Sequence, residues 1–111
     1  MVLTKGSGIA YRPRLGNCLD VFAYDRITSR IKRVSISTNG AQSDGESWSA
    51  TISTDGRWVS FRSRARNLAP EFNAECNKLD FPENCHGIYI HELETSETEL
   101  ITVLSAYPNN L

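Results

Sequence analysis

The side chains that could do chemistry in this 111-residue chain cluster in one acidic segment, residues 67–84. Its carboxylates include Glu71, Glu75 and Asp80, interspersed with several asparagines. Carboxylate and amide oxygens are the ligands that a calcium ion prefers. The segment lacks the spacing of an EF-hand loop, however, so we expect a solvated acidic loop with no cofactor, with calcium as the alternative. In either case the loop acids are candidate residues for binding a ligand or a partner.

Three cysteines raise the question of a disulfide or a metal site. A bond between Cys76 and Cys85 would clamp the acidic loop, and it requires an oxidising compartment. Three free thiols, with Cys18 as the third, are the default expectation, and the disulfide is the alternative. A zinc site with His86 is not favoured, because no C-x-x-C spacing supports it. We therefore predict no metal.

The only two histidines, His86 and His91, stand five residues apart. Positions five apart on a strand point to opposite faces, so these histidines cannot share a metal through that strand. We expect His91 to be an ordinary outward-facing residue. The chain has no G-x-S-x-G nucleophile motif, no G-x-G-x-x-G and no P-loop. The sequence thus predicts no catalytic residue and favours a protein that is not an enzyme.

Basic residues cluster in the first part of the chain. Residues 1–66 carry a net charge of +6 and residues 67–111 a net charge of −7, which leaves −1 overall. Such a balance gives no general reason to expect a nucleic-acid partner. Two solvated faces of opposite sign are one interpretation, and head-to-tail attraction between copies is the other. In the second, the acidic region 92–99 of a neighbouring chain faces the basic run Arg57, Arg62, Arg64 and Arg66.

Short runs with period-2 alternation predict an all-β antiparallel fold. Asp55-Gly56 is a strong hairpin signal between two of these runs. No stretch has a convincing helical stripe, and Leu68–Asn84 is predicted to be a long loop. The predicted strands are Gly8–Arg12, Leu19–Asp25, Ile31–Ser37, Ser47–Ser53, Arg57–Ser63, Gly87–Glu92 and Thr98–Leu104.

The chain also repeats itself. A shift of 50 residues lays Thr4–Asn17 on Thr54–Asn67, and a shift of 67 lays Asn17–Ser37 on Asn84–Leu104. The two shifts differ by 17 residues, which is an insertion in the second copy. We therefore predict one domain made of two four-stranded repeats, residues 1–45 and 46–111, with the inserted loop at 68–84.

The repeat resembles the TolB-like, WD-repeat-like β-propeller repeats of bacteria. The resemblance lies in Asp20–Asp25, Arg26–Thr28, Arg33–Ser35 and Ser53–Phe61. It implies antiparallel propeller blades, about two of them, the first lacking most of its first strand. Members of that family are usually binding modules or scaffolds, often exported and often attached to enzymatic domains. Trp48 and Trp58 are expected to pack against adjacent blades.

Two blades are too few to close a propeller, which needs roughly 4–8. Three outcomes follow: head-to-tail association into a closed ring, a dimer that covers the open faces, or a piece of a longer propeller. The function that we expect is a non-catalytic module that binds protein or ligand and self-assembles. The alternative is an accessory or catalytic module of a glycan- or peptide-processing protein, with its site in residues 67–84.

The sequence shows no targeting signal that indicates a cellular location. No apolar run approaches the roughly 20 residues that span a membrane, and the first residues have no signal-peptide core. A cytoplasmic location is therefore the default expectation, although members of the family that the chain resembles are often exported.

Overall fold

The structure, a computed structural model, describes residues 3–4, 7–13, 19–79 and 85–105, with the backbone alone for 3–4, 7–13, 19 and 105. The predicted all-β class is confirmed, because the described chain forms two four-stranded antiparallel sheets, each with its strands in sequence order. Cys18 and Asp80 lie outside the described residues. The first sheet contains β1 (Leu3–Thr4), β2 (Ser7–Pro13), β3 (Leu19–Asp25) and β4 (Arg30–Arg33). The second contains β5 (Ser47–Ile52), β6 (Trp58–Ser63), β7 (Cys85–Glu92) and β8 (Glu97–Ser105).

The two sheets share one apolar core. Strand β6 shows the alternation that builds it, since Val59 and Phe61 are buried while the residues between them are exposed. The Phe61 ring stacks on Tyr89 of β7, with ring centroids 5.5 Å apart. Val21, Ala23 and other buried residues of the first sheet belong to the same cluster. The core therefore joins one face of each sheet, and the opposite face of each sheet points away from it.

The hairpins β3–β4 and β7–β8 have the same turn. Ser29 and Ser96, which a shift of 67 superposes, have positive φ angles of 62° and 63°. Each donates its backbone N–H to a carbonyl four residues earlier, Asp25 O at 2.7 Å and Glu92 O at 2.8 Å. Positive φ is uncommon for a residue other than glycine, so the match at both sites supports the repeat independently of the side chains.

The same two hairpins also share a β-bulge. In the first sheet the N–H groups of Val34 and Ser35 both point to the carbonyl of Val21, at 2.8 and 3.4 Å. In the second sheet Ile101 is the extra residue between the pairs Ile88↔Thr102 and Tyr89↔Leu100. A shift of 67 takes Val34 to Ile101. The bulge also explains why β4 ends at Arg33 and not at Ser37 as predicted, because an extra residue interrupts the ladder.

The predicted overlay of β2 on β6 is wrong by one residue. Gly8 pairs with Tyr24 in the first sheet, whereas Val59 pairs with His91 in the second. Since Tyr24 matches His91, β2 corresponds to β6 with a shift of 51 and not 50. The connections to the next strand differ in length between the repeats, and the length of a connection helps to set strand register.

A short helix replaces part of the predicted loop. Helix α1, Phe72–Cys76, turns its two buried residues, Phe72 and Cys76, toward the core. The Phe72 ring lies 6.3 Å from the Tyr89 ring, centroid to centroid. Five residues are too few to show a helical pattern of apolar residues in the sequence. A helix this short is not stable through helix propensity alone, so packing on Tyr89 stabilises it. In the part of the chain that the structure describes, no helix has the length and apolarity to cross a membrane.

Candidate interaction surface

The second sheet exposes apolar side chains on the side away from the core, here called the outer face. It carries Trp58 and Leu104, each 37% exposed, and the half-buried Ile88 and Ile90. The bulge residue Ile101 is 58% exposed. Large apolar residues gathered on one face are typical of an interaction site. The prediction that Trp58 is a packing residue is therefore not met within this chain.

The first sheet shows what packs against the equivalent face in the other repeat. Ile88, Ile90 and Ile101 match Val21, Ala23 and Val34 of the first sheet. These three counterparts are at most 5% exposed, because the second sheet covers them. The outer face is thus equivalent to the sheet surface that the first repeat buries, and within the described chain nothing covers it in the second sheet.

Polar contacts hold the two sheets together along their edges. The Thr98 amide donates to Thr38 Oγ1 at 3.0 Å, and Thr38 Oγ1 donates to the Thr98 carbonyl at 3.1 Å. The Thr98 hydroxyl donates to the Ile36 carbonyl at 2.6 Å. At the other end, Lys32 Nζ donates to the carbonyl of Leu93. Through Ile36 and Thr38, the segment after β4 covers part of the edge of β8.

His91 is fully buried, so its prediction as an outward residue is wrong. It lies on the core side of β7, opposite His86, and its Nδ1 is 2.7 Å from Thr98 Oγ1. Because the Thr98 hydroxyl donates its proton to Ile36, Nδ1 must carry the hydrogen of the imidazole ring. Nε2 has no partner among the described residues. Burial, with the charge of Lys32, lowers the His91 pKa from 6.5 to about 4.

Arg57 forms an ion pair within its own sheet, and its contact with the acidic region of a neighbouring chain stays a prediction. Its Nε and one terminal nitrogen lie 2.6 and 2.5 Å from a carboxylate oxygen of Glu92. Hydrogen bonding to Glu92 and the charge of that carboxylate raise the Arg57 pKa above its usual value. Since Trp58 pairs with Glu92 across the strands, this ion pair lies at one end of the outer face.

Arg62 and Arg64 form an aromatic cluster with Trp48 and His86. The Trp48 ring lies 5.5 Å from the His86 ring and 5.6 Å from the Arg64 guanidinium. Arg62 Nη1 is 3.3 Å from His86 Nε2, and Arg64 is also 3.3 Å from Glu46. Burial lowers the His86 pKa, and the two arginines add to this shift. Trp48 is thus held by its own chain.

Arg66 and Glu71 line a groove of about 480 Å³, together with residues of β8 and of the segment after β4. Arg66 donates to Asn73 Oδ1 at 2.6 Å, and Glu71 is exposed at the groove wall. Glu75 instead pairs with Lys78 at 3.2 Å. The two predicted loop acids that the structure describes, Glu71 and Glu75, therefore do not converge on one point. Among the described residues, no three His, Cys, Asp or Glu side chains are placed to hold a metal ion.

A disulfide joins Cys76 to Cys85, with 6.0 Å between their Cα atoms. It ties the end of α1 to the start of β7 and so holds Phe72 against Tyr89. The cysteine pair serves the packing of the insertion and does not offer thiolates to a metal. Comparison of the chain with protein-family models, with curated proteins and with solved structures finds no match.

Proposed function

We propose that the chain is a non-catalytic, β-propeller-type repeat module that binds protein through its sheet faces, beginning with a second copy of itself. The observation that carries this proposal is the match between Ile101, which is 58% exposed, and Val34, which is completely buried. One sequence thus contains the same blade surface twice, once covered and once open. Repeats that cannot bury such a face alone need a neighbour.

The other end of the two-sheet stack offers a complementary surface. Ile31 pairs with Tyr24 and Phe22 with Arg33, which places these residues on the side of the first sheet away from the core. Ile31 is 51% exposed, and its counterpart in the second sheet is the buried Thr98. A contact between the outer face of one copy and this surface of the next is heterologous, so it can continue until a ring closes.

The sequence and the charge of the outer face both support this proposal. The resemblance of Asp20–Asp25 and Ser53–Phe61 to TolB-like repeats implies blades that stack face to face. Glu97 and Glu99 pair with Glu92 and Ile90, so both carboxylates lie on the outer face. An acidic outer face disfavours contact with a second outer face and so favours head-to-tail order.

The test is a pair of apolar-to-aspartate substitutions, I101D on the outer face and A74D on helix α1. Both residues are exposed in the single chain, so each change places a new carboxylate on its surface. Complete burial of an isoleucine stabilises by about 1.5–3 kcal/mol, and I101D replaces that gain with the cost of burying a charge. Light scattering should show I101D as a monomer while A74D keeps the mass of the parent. Equal masses for both variants would overturn the proposal.

A further inference from the structure

We propose that the contact between copies reproduces the contact between the two sheets of one chain, so that Glu99 of one copy pairs with Arg26 of the next. This inference rests on the proposed function and goes beyond it, because it fixes which residues meet. It follows from applying the 67-residue shift to contacts that the structure already contains.

The transferred contact is the one between Lys32 and Leu93. Lys32 on β4 donates to the Leu93 carbonyl in the turn after β7, and this ties the two sheets together. Lys32 matches Glu99, and Leu93 matches Arg26 in the turn after β3. At a contact between copies, therefore, a carboxylate replaces the ammonium group and an arginine replaces the leucine.

The exchange is chemically consistent. A carboxylate cannot donate to a carbonyl as Lys32 does, so at the contact between copies it needs a donor. An arginine at the matching turn position supplies one, and carboxylate–guanidinium pairs form strong, charge-assisted hydrogen bonds. Both Arg26 and Glu99 are exposed in the single chain and thus accessible to another copy.

A second transferred contact brings the exposed Ile31 into the interface between copies. Within the chain the Thr98 hydroxyl donates to the backbone carbonyl of Ile36 at 2.6 Å. Thr98 matches Ile31, which is 51% exposed, and the carbonyl of Ile36 matches that of Val103, whose side chain packs on its own core. At the contact between copies an apolar side chain therefore replaces the hydroxyl, and Ile31 of the next copy is covered beside the backbone of Val103.

The exchange at Lys32 and Leu93 favours a second copy of this chain as the partner. Both sides of this transferred pair change together, from an ammonium group and a leucine to two opposite charges. An unrelated partner would put no such constraint on residues at the far end of the same molecule. A heterologous contact between copies does, because both of its surfaces belong to one sequence.

The experiment uses the charge reversals E99R and R26E in the full chain, alone and combined in one double variant. Each single variant places like charges at every contact between copies, so its association should weaken at least tenfold. The double variant E99R/R26E has opposite charges again at every contact, whatever the number of copies, so the mass seen by light scattering should return to that of the parent. As controls, E75R and K78E reverse charges on the insertion, away from both ends of the stack, and should keep the parent mass.

The outcomes separate this inference from the proposed function. If the parent chain associates and the double variant E99R/R26E restores no mass, the residue pairing is overturned while the self-association stands. The pairing is also overturned if the two single variants associate as well as the parent does. If the parent itself stays monomeric at every concentration, both proposals fall. Because recovery in the double variant requires that it fold with both substitutions, it excludes misfolding as the reason for the losses in the single variants.

Discussion

Val34 and Ile101 occupy the same bulge in the two sheets, yet Val34 is fully buried and Ile101 is 58% exposed. The backbone is the same at both places, and the difference lies only in whether another sheet covers the residue. This relationship connects the fold to the proposed function. The chain buries this surface of its first sheet against the second sheet and leaves the equivalent surface of the second sheet exposed.

The stability of the fold should fall in mild acid because of His91. Its pKa is lowered to about 4 in the folded chain, whereas the unfolded chain takes up the proton near 6.5. The neutral imidazole therefore contributes its full stability above pH 6.5, and this is lost as the pH falls toward 4. The slope for this single proton is at most about 1.4 kcal/mol per pH unit. Urea unfolding at pH 7 and pH 5 measures it.

The variant H91N isolates the contribution of His91 from that of His86, whose pKa is also lowered. Its stability is lower at pH 7, but it should depend less on pH between 5 and 7, because one titrating group is gone. If H91N keeps the full slope of the parent, His91 is not the group responsible.

Breaking the Cys76–Cys85 disulfide should destabilise the insertion. The cysteines are nine residues apart, and closing a loop of that size in the unfolded chain corresponds to about 2–3 kcal/mol. The double variant C76S/C85S should therefore unfold at lower urea concentration than the parent. C18S serves as the control and should not shift the midpoint. A reducing agent should lower the stability of C18S and leave that of C76S/C85S unchanged.

Removing the Tyr89 hydroxyl should cost little. That oxygen is buried without a hydrogen-bond partner among the described residues, and burial raises the Tyr89 pKa. Y89F keeps the ring stacked between Phe61 and Phe72, so its unfolding free energy should stay within about 1 kcal/mol of the parent value. Y89A leaves a cavity and should lose about 3–5 kcal/mol. A loss of more than 2 kcal/mol in Y89F would show that the hydroxyl has a partner.

Gly45 packs so closely against the chain after β6 that we expect no side chain to fit at this position. A Cβ added at Gly45 would lie 2.8 Å from the Ala65 backbone nitrogen. The contact is backbone to backbone, so neither side can move without breaking neighbouring bonds such as Arg64 N–H to Glu46 O at 2.9 Å. G45A should lose about 1–3 kcal/mol in urea unfolding, whereas A41G, in the exposed turn nearby, should lose far less. A neutral G45A would contradict this packing.

Much of the fold could be predicted from local signals. Period-2 alternation marked the strands of the second sheet, and Asp55-Gly56 marked their first hairpin, where Gly56 has a φ of 73°. The 67-residue repeat was visible because it fixes turn and bulge residues such as Thr28 and Ser29. Such features depend on a few neighbouring residues, and those are what a sequence pattern reports.

The burial of His91 and the partners of the arginines could not be predicted, because both depend on which face of a strand meets the other sheet. A one-residue change in register reverses that face, and the sequence alone set the β2 overlay one residue off. Among the candidate site residues, the open surface was missed as a set. The signal for it was present in the matched pairs Val21/Ile88 and Ala23/Ile90. Only the structure shows that the first residue of each pair is buried, and so that the second lies on an equivalent surface left open.

The mass of the unmodified chain in solution, at low salt and at about 1 M salt, decides whether copies of this chain associate through charged ends. We expect a multiple of 12.4 kDa that rises with concentration and is reduced at high salt, where the Debye length falls to about 3 Å. A mass of 12.4 kDa at every concentration and in both salts would contradict it.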